Sequence, residues 1–331
     1  GGTERVVAFL TEELVRLGHD VTLFASGDSV TTAQLEPVWP RALRFDAEVR
    51  DPAAPQMLLL ETVYGRADEF DVLHFHLDYW PFSLFSRQRT PFLTTLHGRL
   101  DLPELAPIYA NFPHVPVVSI SDAQRRPLPC ANFVRTVHHG IPTNLLRPMP
   151  GKPSYLGFLG RITADKGPDR AIRIARRAGI PLQMAAKVDR MDETYYREKI
   201  RPMLDGRHVE LIGEIGDPDK SAFLSGCLGL LFPIDWPEPF GLVMIEAMAC
   251  GTPVIAFNRG SVPEIIEDGV TGFLVENEAQ AVEAVAHLEE LSRLKIRQRF
   301  EQRFTATRMA QDYVDLYARL GQARPRLRVV S

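Results

Sequence analysis

Two glutamates, Glu238 and Glu246, bracket an apolar run that begins at Phe240. Pro239 favours an extended approach followed by a helix start, so Glu238 falls on the loop ahead of that helix and Glu246 about two turns along it. Met244, Ile245, Met248 and Ala249 would turn inward and leave Glu246 one polar edge. A carboxylate can accept two hydroxyl protons side by side, which suits a vicinal diol such as that of a sugar or a ribose. Around the helix start, the backbone N–H groups of Phe240, Gly241 and Leu242 would point at whatever occupies the adjoining cleft. Cations suited to a diphosphate lie upstream. Arg161 can grip two oxygens at once and Lys166 adds a compact charge, both in the loop opening a second βα unit; the plainer reading is two exposed surface charges. His97 follows one strand-like run, and His76 and Asp78 follow another. A histidine in such a place is more often a structural hydrogen-bonder than a catalytic group.

These residues need a scaffold, and the chain is patterned for one. Strand-like runs at 21–25, 71–75, 92–96, 115–120 and 133–137 alternate with helical spacing at 55–67 and 80–87. Such alternation predicts a parallel sheet covered on both faces, with ligands beyond the carboxyl ends of the strands. A proline-rich linker spans 142–153, and the pattern then restarts with strands at 155–159, 182–187, 208–212, 228–232, 254–257 and 273–275. Gly251 is placed to cap the helix carrying Glu246. Helices are expected at 221–227, 279–291, 294–304 and 305–320. Asp217-Pro218-Asp219 has the letters of a metal-binding Asp-x-Asp, but it immediately precedes a helix, where Asp and Pro belong as cap and first-turn residues. No metal site is expected.

At the other end, Gly1-Gly2-Thr3-Glu4 predicts a glycine turn, an N-cap at Thr3 and an acidic first turn, leading into Val6, Val7, Leu10, Leu14 and Leu17. Gly1-Gly2 is either a flexible end or a backbone cradle for phosphate at a helix N-terminus. The first helix of a doubly wound domain is normally fed by a central strand. No such strand precedes Gly1, so a further β-segment ahead of it is expected.

The 331 residues suffice for two domains with sizeable cores. A formal net charge of −4 calls for neither nucleic acid nor an anionic membrane as partner. No apolar run approaches the length of a membrane span, and no signal peptide is present. Cys130, Cys227 and Cys250 are too few and too dispersed for a disulfide framework or a metal knuckle. They are read as reduced core residues of a cytoplasmic protein.

Glu-Pro-Phe-Gly from Glu238, the second glutamate at Glu246, Ala-Cys-Gly-Thr-Pro-Val-Ile from Ala249 and Gly-Val-Thr-Gly-Phe-Leu-Val from Gly269 together resemble the C-terminal signature of glycosyltransferase family 4. The resemblance implies the α/β GT-B fold: two Rossmann-like, doubly wound domains facing a central cleft, here lacking the first N-terminal strand. Domains are expected at 1–147 (acceptor side) and 148–304 (donor side), with 305–331 a helix crossing back. It implies a retaining, metal-independent transfer from a nucleotide-diphosphate sugar, a co-substrate and no cofactor, to a carbohydrate or other hydroxyl acceptor. It implies that Gly1, Gly2, Arg161, Lys166, Ile215, Glu238, Pro239, Phe240, Gly241, Leu242 and Glu246 hold the donor, that His97 faces the donor sugar, and that His76 and Asp78 stand near the acceptor. His97, Arg161, Lys166 and Glu238 would carry the chemistry. Where the family has Asn-Gly after the last N-terminal strand, this chain has His139-Gly140. Two other readings share the architecture: a sugar-nucleotide epimerase, which would lack the ordered Glu-Pro-Phe-Gly series, and an inactive sugar-nucleotide binder.

Overall fold

The computed structural model of the chain describes residues 2–322. The chain divides into two compact units. Unit 1 takes the residues through Ile120, the segment Arg125–His138 and the chain from Ala306 onward; unit 2 takes Ser121–Gln124 and His139–Thr305.

Unit 1 contains two parallel sheets. In one, β1 (Thr22–Ser26) pairs with β2 (Gln34–Trp39). In the other, β3 (Leu73–Phe75), β4 (Phe92–Thr95), β5 (Val117–Ser119) and β6 (Phe133–Thr136) lie in that order. Leu93 and Val117 are wholly buried, as a parallel strand covered by helices on both faces requires. Helix α1 (Gly2–Arg16) buries Val6, Leu10 and Leu14 along one stripe. Because the helix already includes Gly2, Thr3 lies inside its first turn and does not cap it, contrary to the pattern reading. Helix α2 (Ala53–Tyr64) adds Leu60 and Val63 to a core in which Phe82 meets Tyr109 edge to face, ring centroids 5.3 Å apart. The C-terminal helix, Ala306–Gln322, belongs to this unit and buries Met309, Tyr313 and Leu316. Arg308 fastens it by donating to the carbonyl of His138 at 2.6 Å, and Asp312 by an ion pair with Arg135 at 2.5 Å.

Unit 2 has one six-stranded parallel sheet. Its strands are β7 (Tyr155–Arg161), β8 (Leu182–Lys187), β9 (Val209–Gly213), β10 (Cys227–Phe232), β11 (Val254–Phe257) and β12 (Gly272–Val275), in the order β12-β11-β10-β7-β8-β9. The chain enters at the centre with β7, winds outward through β9, returns to β10 beside β7 and winds outward the other way. That reversal makes the carboxyl ends of β7 and β10 the switch point, where two loops diverge and leave a crevice. Helices α3 (Pro168–Ala178), α4 (Asp217–Gly226), α5 (Leu242–Ala249), α6 (Glu278–Ala286) and α7 (Arg293–Arg303) surround the sheet. On α3, Ala171, Ile172, Ile174 and Ala175 face inward while Arg173, Arg176 and Arg177 stay outside. Each buried Ile contributes about 1.5–3 kcal/mol to holding the helix on the sheet.

Of the three cysteines, Cys227 and Cys250 are buried as expected and Cys130 is exposed. Cys130 lies in the exposed stretch of the turn before β6, between Leu128, which is buried, and Ala131, which is partly buried.

Candidate active site

The switch point carries the charges that the sequence singled out. Arg161 is the last residue of β7, and in the strand register it stands beside Lys187, the last residue of β8. Asp189 lies 3.0 Å from Lys187 and 3.6 Å from Arg161. The hydrogen bond from Lys187, aided by the charge of Arg161, holds the Asp189 carboxyl below its usual range. About half of the Arg161 side chain remains exposed.

Lys166 sits on the loop between β7 and α3, Glu238 on the loop between β10 and α5. They form an ion pair with both side chains largely buried. Trp236 donates its indole N–H to the same Glu238 oxygen at 2.9 Å and lays its ring 5.1 Å from the Lys166 ammonium. The two loops are tied by their backbones: the N–H of Asp235 bonds to the carbonyl of Asp165 at 2.8 Å, and Arg170 reaches the carbonyls of Pro233 and Ala164 at 2.8 and 3.1 Å. Gly167, at φ +71°, makes this approach possible, since a Cβ there would lie 2.3 Å from the carbonyl oxygen of Pro233. Gly260, at φ +56°, does the same from the other side, its would-be Cβ 2.4 Å from the Glu238 carbonyl oxygen. Next to it, the Ser261 N–H donates to that carbonyl at 3.0 Å.

Gly241 takes the left-handed conformation and starts α5. The chain therefore turns sharply after the buried Pro239 and Phe240 and presents the first N–H groups of the helix at its open end. Phe240 packs edge-on against His139, centroids 4.8 Å apart. The residue standing where the family has Asn thus supports Phe240 by ring packing. Glu246 is almost wholly inside, where the pattern had assigned it a polar edge: α5 is apolar on nearly all sides, and burial follows. Its carboxylate is met by Lys220 of α4 at 2.9 Å, and Lys220 also reaches Asp217 at 3.2 Å. Asp217, Pro218 and Asp219 form the first turn of α4, as the first-turn part of that reading had it, but the helix begins four residues earlier than expected and its N-cap is Gly216, with no side-chain cap. Ile215 lies just ahead, on the loop from β9 into α4.

Unit 1 holds a second constellation. Nδ1 of His76 is 2.8 Å from Nε2 of His97, one donating and the other accepting. Burial lowers the His97 pKa to about 4 in spite of the opposing charge of Glu4, so the ring is neutral at pH 7. Asp78, at φ +48°, has its pKa raised by burial, against a hydrogen bond from the His97 backbone. His74, which the sequence reading passed over, is half-buried beside them. Its two ring nitrogens meet Tyr317 at 2.7 Å and Thr95 at 2.8 Å, Thr95 meets Tyr313 at 2.9 Å, and burial lowers the His74 pKa to about 3.

Arg161, Lys166, Glu238 and the start of α5 thus gather at one switch point, and Glu246 stands on the same helix. His76, Asp78 and His97 form their own cluster in unit 1. Gly2 opens α1, and Gly1 lies outside the described residues. Sequence reasoning missed Lys187, Lys220, Trp236 and Gly260. The pair Gly260-Ser261 carried a usable signal, because a glycine followed by a hydroxyl residue after a strand end often marks a tight backbone approach.

The family described as Glycosyltransferase Family 4 matches residues 1–177. The chain belongs to glycosyltransferase family 4. A second family, described as Glycosyl transferases group 1, matches residues 147–306 of this family 4 chain. It is 24% identical over 337 residues to the D-inositol 3-phosphate glycosyltransferase of Mycolicibacterium smegmatis, covering 83% of this chain and 75% of the other. The alpha-maltose-1-phosphate synthase of Mycobacterium tuberculosis is 27% identical over 190 residues, 49% of each chain, so the match spans about half the length of that relative. Among solved structures, sucrose-phosphate synthase from Thermosynechococcus elongatus has a TM-score of 0.79 at 20% identity, over 98% of this chain and 94% of that one. Anabaena HepE in complex with UDP and glucose has a TM-score of 0.71 at 19% identity, over 96% of each chain. The fold is accordingly α/β of the GT-B class, with two Rossmann-like units.

Proposed function

We propose that this chain is a retaining glycosyltransferase that moves a sugar from a nucleoside-diphosphate donor to a hydroxyl acceptor without a metal ion. The observation that carries the reading is the meeting of Lys166 and Glu238 at the switch point, with Arg161 at the end of the adjoining strand. Breaking the bond between the anomeric carbon and the diphosphate builds negative charge on the leaving oxygen and positive character on the sugar. Arg161 and Lys166 meet the first charge. Glu238, held by Trp236, turns to the sugar hydroxyls when the diphosphate draws Lys166 away, and the N–H groups of Gly241 and Leu242 fix the same end of the donor. Glu246 takes the ribose diol, and Ile215 packs against the base. Glu238 is assigned to the sugar hydroxyls and Glu246 to the ribose, so no carboxylate stands out as a covalent nucleophile of the kind retaining glycosidases use. The acceptor hydroxyl therefore gives its proton to the departing phosphate, on the face from which the phosphate leaves.

His97 enters as a neutral imidazole that can hydrogen-bond a sugar hydroxyl, with no role as an obligatory base, and His76 and Asp78 stand with the acceptor. Gly2, at the start of α1, offers backbone N–H groups to phosphate. The reading places the enzyme in the cytoplasm, where exposed Cys130 stays reduced. Among the described residues no helix is long and apolar enough to cross a membrane.

The test begins with thermal shifts against UDP-, GDP- and ADP-sugars, since a bound donor raises the melting temperature by mass action. The donor that shifts it is then assayed with EDTA present, and the anomeric configuration of the product is read by NMR. Retained configuration with undiminished turnover is expected. Inversion, loss of turnover in EDTA, or conversion of the donor to an epimer without transfer would each refute the proposal.

A further inference from the structure

Glu246 is the one charged residue of α5, a helix whose Met244, Ile245, Ala247, Met248 and Ala249 are all buried. A carboxylate in such surroundings is tolerated as an ion only when it is paired and hydrogen-bonded. Lys220 does both from α4: its ammonium stands 2.9 Å from Oε1 of Glu246, the two side chains being 12% and 2% exposed. The same ammonium reaches Asp217, in the first turn of α4, at 3.2 Å. Because α4 leaves directly from the loop that carries Ile215, Lys220 joins that end of α4 to the carboxylate of α5.

Packing alone does not account for the pair. The two helices are fastened elsewhere, where the Thr252 hydroxyl donates to the Leu224 carbonyl at 2.7 Å and Arg293 reaches the Ser225 carbonyl and the Thr252 hydroxyl, each at 3.3 Å. A buried ion pair is in any case weak support for a fold, since apolar residues of similar volume often replace one without loss. Its effect falls on the carboxylate itself. An ionised carboxylate is an acceptor only, and it binds a hydroxyl proton about twice as strongly as a neutral acceptor does. By holding Oε1, Lys220 also fixes the direction in which the group faces.

We propose that Lys220 is a positioning residue that makes this site select ribonucleoside diphosphates over their 2′-deoxy counterparts, by keeping Glu246 charged and directed at the ribose diol. The assignment rests on the reading of Glu246 as the ribose ligand and adds to it a class of donor: sugars carried on UDP, GDP or ADP, and not on a deoxynucleotide. A 2′-deoxyribose offers one hydroxyl in place of two, so a buried carboxylate aligned for both protons loses a partner that nothing replaces. Such discrimination is steep when the acceptor is charged. It is shallow when a proton has neutralised the acceptor, the usual fate of a buried carboxylate deprived of its cation.

Isothermal titration of the chain with UDP, GDP and ADP, each beside its 2′-deoxy counterpart, tests this. The ribonucleotide that binds is expected to do so at least about tenfold more tightly than its deoxy form, the scale of one hydrogen bond to a charged group. Lys220→Met keeps the length of the side chain and removes its charge; there the ratio is expected to fall below about threefold, the scale of a neutral hydrogen bond. In Lys220→Arg, which restores the cation, it is expected to stay above about fivefold. A pair that serves packing alone predicts otherwise: both nucleotides weaken together and their ratio stands. An unchanged ratio in Lys220→Met, or equal binding of the two forms by the unsubstituted chain, overturns the proposal. If Lys220→Met does not fold, combining it with Glu246→Leu leaves no buried charge behind. That chain is expected to bind both forms equally, and a ratio that survives in it refutes the proposal. Failure of all three ribonucleotides to bind is a different result: it removes the transferase reading and this assignment with it, whereas binding without discrimination leaves that reading standing.

Discussion

Lys166 and Glu238 neutralise one another at the switch point, and each is assigned to a different end of the donor. Lys166→Ala removes the charge that meets the leaving diphosphate and leaves Glu238 its bond from Trp236. A fall in kcat of about 10²–10³ is expected, the usual cost of losing one donor to developing charge, together with a lower melting temperature, since Glu238 is left largely buried without its cation. Glu246→Ala acts on binding, raising the donor KM by about tenfold or more, the scale of a lost charge-assisted hydrogen bond. Steady-state kinetics on both variants separates the two roles, and equal effects on kcat and KM in both would contradict the assignment. The histidines of unit 1 give a stability signature. His97 titrates near 6.5 when unfolded and at about 4 when folded, so its neutral form is favoured in the native chain. The unfolded state then binds more protons, and stability present above pH 6.5 is lost as pH falls toward 4, by about 3 kcal/mol from this group alone. His74, lowered to about 3, extends the loss to lower pH. Urea denaturation at pH 7.0, 5.5 and 4.5 should show the decline, and His97→Gln should flatten it.

At the scale of elements, the loop carrying Glu238 is shaped by a glycine on another loop. Gly260→Ala puts a Cβ 2.4 Å from the Glu238 carbonyl oxygen, in a left-handed conformation as well. Gly269, also at positive φ (+69°), has open space where its Cβ would go. The Gly269→Ala variant should therefore cost about 1 kcal/mol, while Gly260→Ala costs clearly more and weakens donor binding by displacing Glu238. Melting curves and donor titrations on the pair check this. Much of this layer was legible in the sequence. Apolar runs between Gly and Pro punctuation located strands such as β8 and β11, and the pattern placed Arg161 and Lys166 in the loop opening a βα unit and Glu238 on the loop ahead of a helix, although Arg161 proves to be the last residue of its strand. Contacts that depend on tertiary approach could not be read. Lys220 is one lysine among several until α4 packs beside α5 and brings it to Glu246. The expected polar edge for Glu246 failed for the same reason: helical periodicity shows which face is apolar, and here neighbouring elements covered the other face too. His74 looked like a strand residue of no special kind until Tyr313 and Tyr317 arrived from more than two hundred residues away.

At the scale of the whole molecule, unit 1 is assembled from both ends of the chain and unit 2 from a nearly continuous stretch. Ending the chain after Thr305 would strip Tyr313 from Thr95 and Tyr317 from His74, leaving the buried Thr95 hydroxyl and the half-buried His74 ring each without one hydrogen-bond partner. Limited proteolysis of that shortened chain should cut within residues 1–138 while residues 139–305 persist, and equal resistance of both parts would show that the C-terminal helix contributes little. The same interleaving sets an order of events on the ribosome. The residues of unit 2 are complete once Thr305 has been made, whereas unit 1, begun first, stays unfinished until the helix Ala306–Gln322 has emerged, a waiting period in which its apolar surface is open to aggregation.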